Sequence, residues 1–164
     1  MRDLRLVPLT FDTVAKAYPL IQIGYPQVSF GAWQRRAEAI LSQNGPPFLG
    51  LQTLQDAHGL IVGLFAYQVM ETVQHGRTFF VDEFVAVDIV ASGQVANRLV
   101  LEMEQLARRC NCSAVHTAVA CECHRREGMI QLLSALGHHP EDECPEGPEA
   151  LAVTHLCKPL TLAR

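Results

Sequence analysis

The stretch from Phe79 to Cys110 constrains the fold more than any other part of this chain. It begins with the run FFVDEFVAV, which is apolar on both faces except at Asp82 and Glu83, as in a central strand that is covered on each side. From Val95 onward, apolar residues recur at intervals of three and four, which predicts a helix with one buried stripe. A buried strand therefore leads through a short turn to a helix N-terminus, where unpaired backbone N–H groups can bind a phosphate.

The composition restricts the classes of protein to which the chain can belong. With 164 residues, of which 49% are hydrophobic, and a formal net charge of -4, we expect a single domain spanning residues 1–164. There is no apolar run of membrane-spanning length and no signal-peptide pattern at the start, so we expect a cytoplasmic protein without a membrane partner. The sequence also lacks the basic face that nonspecific nucleic-acid binding requires, so no nucleic-acid partner is expected.

Hydrophobic periodicity and turn signals predict the element order βααβββαβαβ. Helices are expected to begin near Thr10 or Asp12, at Ser29, at Val95 and at Gly128. Pro19 is expected to end or kink the first of them, and Gly137 to take the C′ position after the last. The third helix links two strands that are predicted to pair in parallel through a right-handed crossover. The strands are predicted at residues 4–7, 48–54, 60–71, 79–87, 113–120 and 151–157.

This order resembles that of the GNAT superfamily of N-acetyltransferases over nearly the whole chain. The residues that carry the resemblance are FVAVD at 84–88, the turn at 92–96, the helix around Leu99, and Leu136-Gly137-His138, where the family usually has Leu-Gly-Phe. The resemblance implies an α/β (α+β) fold with a mixed, mostly antiparallel central sheet and helices on both faces. It also implies transfer of an acetyl or other acyl group from acetyl-CoA to a small-molecule or peptide amine, and it is compatible with a homodimer.

In the family, the turn reads Gln/Arg-x-x-Gly-x-Gly/Ala, and its backbone N–H groups hold the pyrophosphate of acetyl-CoA. Here Ala91 takes the place of the Gln/Arg, and the stretch from Val87 to Ala96 is one residue shorter than usual. Ser92 is also expected to be the N-cap of the helix. Because the donors belong to the backbone, the resemblance still implies a pyrophosphate loop, formed by Ser92, Gly93, Gln94, Val95, Ala96 and Asn97.

Family resemblance further implies that the strand separates from its neighbour at Val85 and Val87. The backbone groups of these two residues would then bind the pantetheine arm of the cofactor.

Acyl transfer to an amine needs a base that accepts the proton of the amine. Asp82 and Glu83 are the only carboxylates in the buried strand, and because adjacent strand residues point to opposite faces, only one of them is expected to line a given cleft. We favour Glu83, which is on the same face as Val85 and Val87. The alternative is that both acids lie near a strand bulge, or pair with Arg77 or another cation.

The family often takes its acid from a Tyr in the helix before Leu-Gly-Phe, but no Tyr follows Tyr67 in this chain. A thiol of Cys121 or Cys123, or water, remains as the acid, or the step is not catalysed. The altered loop and the missing Tyr leave a second function open, a binding or regulatory domain that binds CoA without turnover. A third is an α/β scaffold whose cleft binds an unrelated small ligand.

Aromatic residues lie in the region that shapes the acceptor pocket in the family. Tyr25 is predicted to lie on the loop between the first two helices and is our candidate for substrate binding. Phe30 and Trp33 fit the buried stripe of the second helix, so we expect them to pack in the core.

The six cysteines are expected to be free thiols. One metal ion cannot use both Cys110-x-Cys112 and Cys121-x-Cys123-His124, because a strand of about six residues separates the two pairs by about 20 Å. His116 is expected to be a packed histidine. No metal site is predicted, although five residues have the right chemistry and are expected near one end of the sheet, namely Cys110, Cys112, His138, His139 and Cys144.

Overall fold

The structure, a computed structural model, describes residues 3–43, 48–88, 93–119, 125–141 and 153–161. A single turn of 3₁₀ helix, Phe11–Thr13, precedes the first helix. None of the described helices is long and apolar enough to cross a membrane. The elements are β1 (Arg5–Pro8), α1 (Val14–Gly24), α2 (Phe30–Leu41), β2 (Leu49–Gln55), β3 (Ile61–Thr72), β4 (Gly76–Ala86), α3 (Gln94–Arg109), β5 (Ala114–Val119), α4 (Arg125–Ala135), β6 (His139–Pro140) and β7 (Thr154–Pro159).

The strands form one mixed sheet in the order β1-β2-β3-β4-β5-β7-β6. Every neighbouring pair is antiparallel except β4 and β5, which α3 connects as the crossover that a parallel pair requires. The predicted order and fold class are therefore confirmed. Strand β6 was not predicted, because its two residues are too few to show a hydrophobic period.

The sheet buries a hydrophobic core on each face, as expected for a strand that is apolar on both sides. On one face, Phe79 and Val81 pack with Leu99 and Met103 of α3. On the other face, the core contains Trp33 of α2, with residues of α1 and of the strands that include Leu51, Leu64 and Val85. Burial of an apolar side chain contributes roughly 1.5–3 kcal/mol, so these two clusters fix the positions of the helices.

The first helix continues past Pro19 to Gly24. Pro19 therefore does not end the helix, and that part of the prediction is wrong. Pro19 is exposed, and the helix buries Val14, Ala17, Leu20 and Ile21 against the sheet. Burial of that face compensates for the one hydrogen bond that Pro cannot donate.

The end of α4 matches the prediction for Gly137, which adopts a positive φ of 87°. The next residue, His138, is fully buried, and its Nε2 lies 3.1 Å from Oε1 of Glu104 on α3. Lys158 Nζ of β7 donates to the same oxygen at 2.8 Å. The His that stands where the family usually has Phe is therefore held by a buried carboxylate.

Candidate functional site

A β-bulge in β4 brings the two predicted catalytic carboxylates together. Ala66 of β3 pairs with Glu83, but the next residue, Tyr67, pairs with Val81, so that Asp82 has no partner in the ladder. Because the bulge interrupts the alternation of side chains, both carboxylates reach the same guanidinium on the α2 side of the sheet. The alternative of a strand bulge and a cation partner is therefore confirmed, and the premise that the two acids point to opposite faces does not hold here. Of the two acids, Asp82 lines the pocket beside this cluster, whereas the favoured Glu83 is not among its lining residues.

The guanidinium that pairs with both acids belongs to Arg36 of α2. Its Nε donates to Glu83 Oε1 at 2.9 Å, and its Nη2 donates to Asp82 Oδ2 at 2.7 Å and to Glu83 Oε2 at 3.2 Å. Arg77, which the sequence analysis named as a partner, instead donates from Nε to the carbonyl of Cys110 at 2.9 Å. Sequence reasoning missed Arg36, because only the packing of α2 across β4 distinguishes it from the other exposed arginines.

The surroundings of Glu83 raise its pKa from 4.5 to about 7. Burial is the largest cause, since it disfavours the charged carboxylate, and a hydrogen bond shared with Asp82 acts in the same direction. Arg36 opposes both effects. The Glu83 side chain is 23% exposed and that of Asp82 is 39% exposed, so solvent still reaches both acids. A carboxyl group that titrates near neutral pH can accept and release a proton under physiological conditions.

A small pocket of about 210 Å³ lies beside this cluster. Its wall includes Arg36 and Asp82 as charged groups and Gln43 and Gln68 as polar ones, between α2 and the strands β2, β3 and β4. Apolar residues, among them Ile40 and Leu49, complete the lining. The pocket is therefore lined mainly by polar surface, with a smaller apolar part.

The two parallel strands separate next to the carboxylates. Pairing between β4 and β5 ends at Val81 and Thr117, although β4 continues to Ala86 and β5 to Val119. This gap lies where the family resemblance implied that the strands separate.

Backbone groups of β4 are available in this gap. The N–H of Val87 donates to the carbonyl of Val62 at 3.0 Å, so it points toward β3 and away from the gap. Because successive residues of a strand direct their backbone groups to alternate sides, the groups that face the gap belong to Phe84 and Ala86. Val85 and Val87 were expected to supply the backbone groups in the gap, but the residues that do so are their neighbours Phe84 and Ala86. Val85 itself is 3% exposed and packs in the core beneath α1.

The N-terminus of α3 is occupied by a carboxylate of the chain. Asp88 accepts hydrogen bonds from the backbone N–H groups of Val95 at 2.8 Å and of Ala96 at 3.1 Å. The N-cap is Gly93, with a left-handed φ of 65°, and not Ser92, which lies outside the described residues. Asn97 N–H donates to the carbonyl of Gly93 at 2.7 Å. An incoming anion would therefore have to displace Asp88 to use the N–H groups of Val95 and Ala96.

The aromatic residues of the first two helices divide between core and surface. Trp33 is buried and donates from Nε1 to the carbonyl of Val14 at 2.8 Å, as expected for a core residue. Phe30 is 42% exposed, contrary to that expectation, and packs edge-on against Tyr18 at a ring separation of 5.2 Å. Tyr25 follows α1 and is half-buried against the core on that face. It does not line the 210 Å³ pocket, and its assignment to substrate binding stays a prediction.

The structure resembles those of known N-acetyltransferases, although the sequence matches no known family. No protein-family model and no curated protein matches the sequence. Among solved structures, the aminoglycoside N-acetyltransferase AAC(6')-Iy, in complex with CoA, superposes with a TM-score of 0.71 at 12% identity over 91% of this chain and 96% of that one. The aminoglycoside 6'-N-acetyltransferase AAC(6')-Ih from Acinetobacter baumannii gives 0.70 at 10% identity, over 90% and 98% of the two chains.

A third similar structure is the spermidine N-acetyltransferase from Vibrio cholerae, solved in complex with CoA and spermine. It superposes with a TM-score of 0.66 at 14% identity, and the match covers 95% of each chain. At these identities the likeness establishes the fold. The chain therefore has the fold of the GNAT superfamily of N-acetyltransferases.

Proposed function

We propose that this chain is an acyltransferase that moves an acetyl or other acyl group from acetyl-CoA to an amine acceptor. The observation that carries the proposal is Glu83, a largely buried carboxylate whose pKa is raised to about 7. It lies on a bulge of β4 next to a pocket and to the gap between β4 and β5. GNAT-fold relatives that carry out this reaction, some of them solved with CoA, support the same conclusion.

Glu83 is proposed as the general base. An amine acceptor arrives mostly as an ammonium ion and must lose a proton before its nitrogen can attack the thioester carbonyl. Asp82 and Glu83 carry two negative charges against the one positive charge of Arg36 when both acids are ionised, so the site attracts a cation. The raised pKa of Glu83 lets it accept the proton of the ammonium ion near neutral pH.

The cofactor is proposed to lie in the gap between β4 and β5. The backbone groups of Phe84 and Ala86 would bind the pantetheine arm, and a backbone N–H near the bulge would stabilise the oxygen of the thioester as charge develops on it. Ser92 to Asn97 remain the proposed pyrophosphate loop. Leu133, which occupies the approximate position of the family's acidic Tyr, is fully buried, so we expect the thiolate to take its proton from water.

The acceptor is proposed to be a small-molecule or peptide amine. A pocket of about 210 Å³ admits one amine-bearing end of a molecule, and Asp82 in its wall can pair with a second positive charge. The similar structures include spermidine and aminoglycoside N-acetyltransferases, so molecules with several amino groups belong in the first panel to be tested. If Tyr25→Phe and Tyr25→Ala both leave the KM for the acceptor unchanged, Tyr25 does not bind substrate.

A second candidate function is a domain that binds CoA without turnover, or regulates through it. The absence of a Tyr after Tyr67 favours it, because the chain then has no such hydroxyl to protonate the departing thiolate. The hydrogen bonds from Val95 and Ala96 to Asp88 do not separate the two functions, because a bound pyrophosphate would compete with this carboxylate in either case.

Calorimetry and a thiol-release assay separate these functions. Titration with acetyl-CoA and with CoA tests binding. If neither ligand binds at millimolar concentration, both proposed functions are wrong. Release of CoA thiol over a panel of polyamines, aminoglycosides and peptide amines supports the acyltransferase, whereas binding without release supports the second function. Glu83→Gln should slow release by about 100-fold or more and keep binding. Its matched control is Glu71→Gln, an exposed carboxylate near the end of β3, which should behave as the wild type.

A further inference from the structure

A cluster of metal-ligating side chains lies at another place in the sheet. The ligand atoms of His75, Glu141 and Cys157 all lie within 4.8 Å of one another. His75 is in the turn between β3 and β4, Glu141 follows β6, and Cys157 is on β7. None of them pairs with Arg36, Asp82 or Glu83, and none is among the five residues that the sequence analysis considered for a metal.

Strand register brings Cys157 and two histidines, His116 and His155, to one face of the sheet. Cys157 of β7 lies directly opposite His116 of β5, and His155 precedes Cys157 by two residues, so all three side chains share a face. Glu141 is fixed beside this face because its backbone N–H donates to the carbonyl of His155 at 3.0 Å. The backbone therefore positions the cluster, which does not depend on flexible side chains alone.

The two ligand–ligand distances that involve His75 are close to those of a tetrahedral zinc site. Zinc bonds of about 2.0–2.1 Å to nitrogen or oxygen and about 2.3 Å to sulfur imply, at tetrahedral angles, about 3.3 Å between N and O ligands and about 3.6 Å between N and S. His75 Nε2 lies 3.0 Å from Glu141 Oε1 and 3.6 Å from Cys157 Sγ. Small side-chain adjustments would admit the ion.

A second histidine contacts the carboxylate, and a third histidine contacts the second. His116 Nδ1 lies 3.3 Å from Glu141 Oε2, the oxygen that is not directed at His75. His116 Nε2 lies in turn 2.8 Å from Nδ1 of His155, and the ring of His116 packs on Phe80 with centroids 4.9 Å apart. Histidine behind a ligating carboxylate is the kind of support that orients ligands in metal sites. His116 is therefore packed, as predicted, and is also part of a hydrogen-bonded network.

The donor set selects among metal ions. One imidazole, one thiolate and one carboxylate suit Zn²⁺ and ions of similar preference, whereas Mg²⁺ and Ca²⁺ require oxygen ligands. Cys157 is 6% exposed and His75 is half-buried, so the ligands are screened from bulk water.

We propose that His75, Glu141 and Cys157 form a zinc site with a fourth position for water. The ion would join the turn between β3 and β4 to β7 and to the segment after β6, which are distant in sequence. Its effect is to stabilise this part of the sheet, because an ion that binds the folded chain and not the unfolded one shifts the equilibrium toward the folded state.

Cobalt(II) titration of the full-length, metal-stripped chain tests the proposal, since Co²⁺ substitutes for Zn²⁺ and reports its ligands by absorption. We expect one equivalent of Co²⁺ to bind with a thiolate-to-cobalt charge-transfer band, and we expect Zn²⁺ to displace the Co²⁺.

Variants of the ligands and of residues outside the cluster test the assignment. Cys157→Ser should lose the band, and His75→Ala should weaken binding at least tenfold. His58→Ala, at an exposed hairpin position, and Cys110→Ser, a thiol outside the cluster, should bind as the wild type does. Zn²⁺ should raise the Tm of the wild type but not of His75→Ala.

Three outcomes would overturn the zinc site. The first is that no stoichiometric Co²⁺ or Zn²⁺ binding is seen. The second is that the charge-transfer band persists in Cys157→Ser, and the third is that His58→Ala weakens binding as much as His75→Ala does. Thermal melting without metal shows that each variant folds, and the two ligand variants test the site independently. None of these measurements depends on acyl transfer.

Discussion

Arg36 Nε donates a 2.9 Å hydrogen bond to Oε1 of Glu83 and so joins α2 to β4 across 47 positions of sequence. Burial raises the pKa of Glu83 most, a hydrogen bond with Asp82 and the charge of Asp82 raise it further, and Arg36 lowers it. The protonation of the proposed base is therefore set by burial together with one anion and one cation that act in opposite directions.

The pH dependence of acyl transfer tests Glu83 as the base. With a raised pKa of about 7, Glu83 is protonated and inactive at lower pH, so kcat/KM should fall as the pH drops below about 7. Glu83→Gln should reduce kcat by about 100-fold or more, because general-base catalysis is worth roughly 10²–10⁴-fold, and should remove this acidic limb. An unchanged pH profile in Glu83→Gln would assign the base elsewhere.

Substitution of the two neighbours should move the acidic limb in opposite directions. Asp82→Asn removes a negative charge that raises the pKa of Glu83, so the limb should shift to lower pH. Arg36→Gln removes the cation that lowers the pKa, so the limb should shift to higher pH. The measurement is kcat/KM against pH for both variants. Shifts in the same direction, or no shift in either, would contradict the proposed balance.

Charge at the first residue of α3 tests the pyrophosphate loop. Gln94 is exposed, so its variants should fold normally. Gln94→Gly should keep or improve CoA affinity, because it lets the phosphate approach the backbone. Gln94→Glu should weaken binding by about 1 kcal/mol, roughly fivefold, through repulsion in a partly screened site. Calorimetric titrations that give equal affinities for the two variants would refute the assignment.

Asp88 should act as a competitor of the pyrophosphate. Asp88→Asn removes the negative charge and leaves one side-chain oxygen in place of the two that accept from Val95 and Ala96, so we expect CoA affinity to rise about fivefold. Because the amide nitrogen cannot accept the second hydrogen bond, the variant should also lose roughly 1–2 kcal/mol of stability. A fall in CoA affinity with normal folding would show that the carboxylate does not oppose binding.

Close packing of Gly24 on Val85 should make the end of α1 intolerant of a side chain. A Cβ on Gly24 would lie 2.6 Å from Val85 Cγ2, so Gly24→Ala should destabilise the fold by roughly 1–3 kcal/mol. At Gly31, the nearest such atom is Arg35 Nη1 at 3.5 Å, and Gly31→Ala should be neutral or stabilise α2 slightly. Urea denaturation of both variants checks the comparison. Equal stabilities would mean that Val85 moves aside at little cost.

Much of the fold was predictable from local pattern. The apolar run of β4, the three-and-four spacing of α3 and Gly137 at the end of α4 each reflect a rule that acts over a few residues. Asp82 and Glu83 were also recognisable, because carboxylates are uncommon in a strand that is apolar on both faces. The sequence did not reveal that the two side chains reach the same cation, because the bulge that allows this depends on the register between β3 and β4.

The sequence by itself determined the order of elements, the two-faced sheet and the identity of the two acids, because hydrophobic period and turn chemistry are local properties. Only the tertiary structure decided that Arg36 pairs with both acids, that Asp88 caps α3, and that His75, Glu141 and Cys157 meet. These contacts join residues that packing and strand register bring together. The free energy that selects them comes from burial of the whole core, and no single segment of the sequence records it.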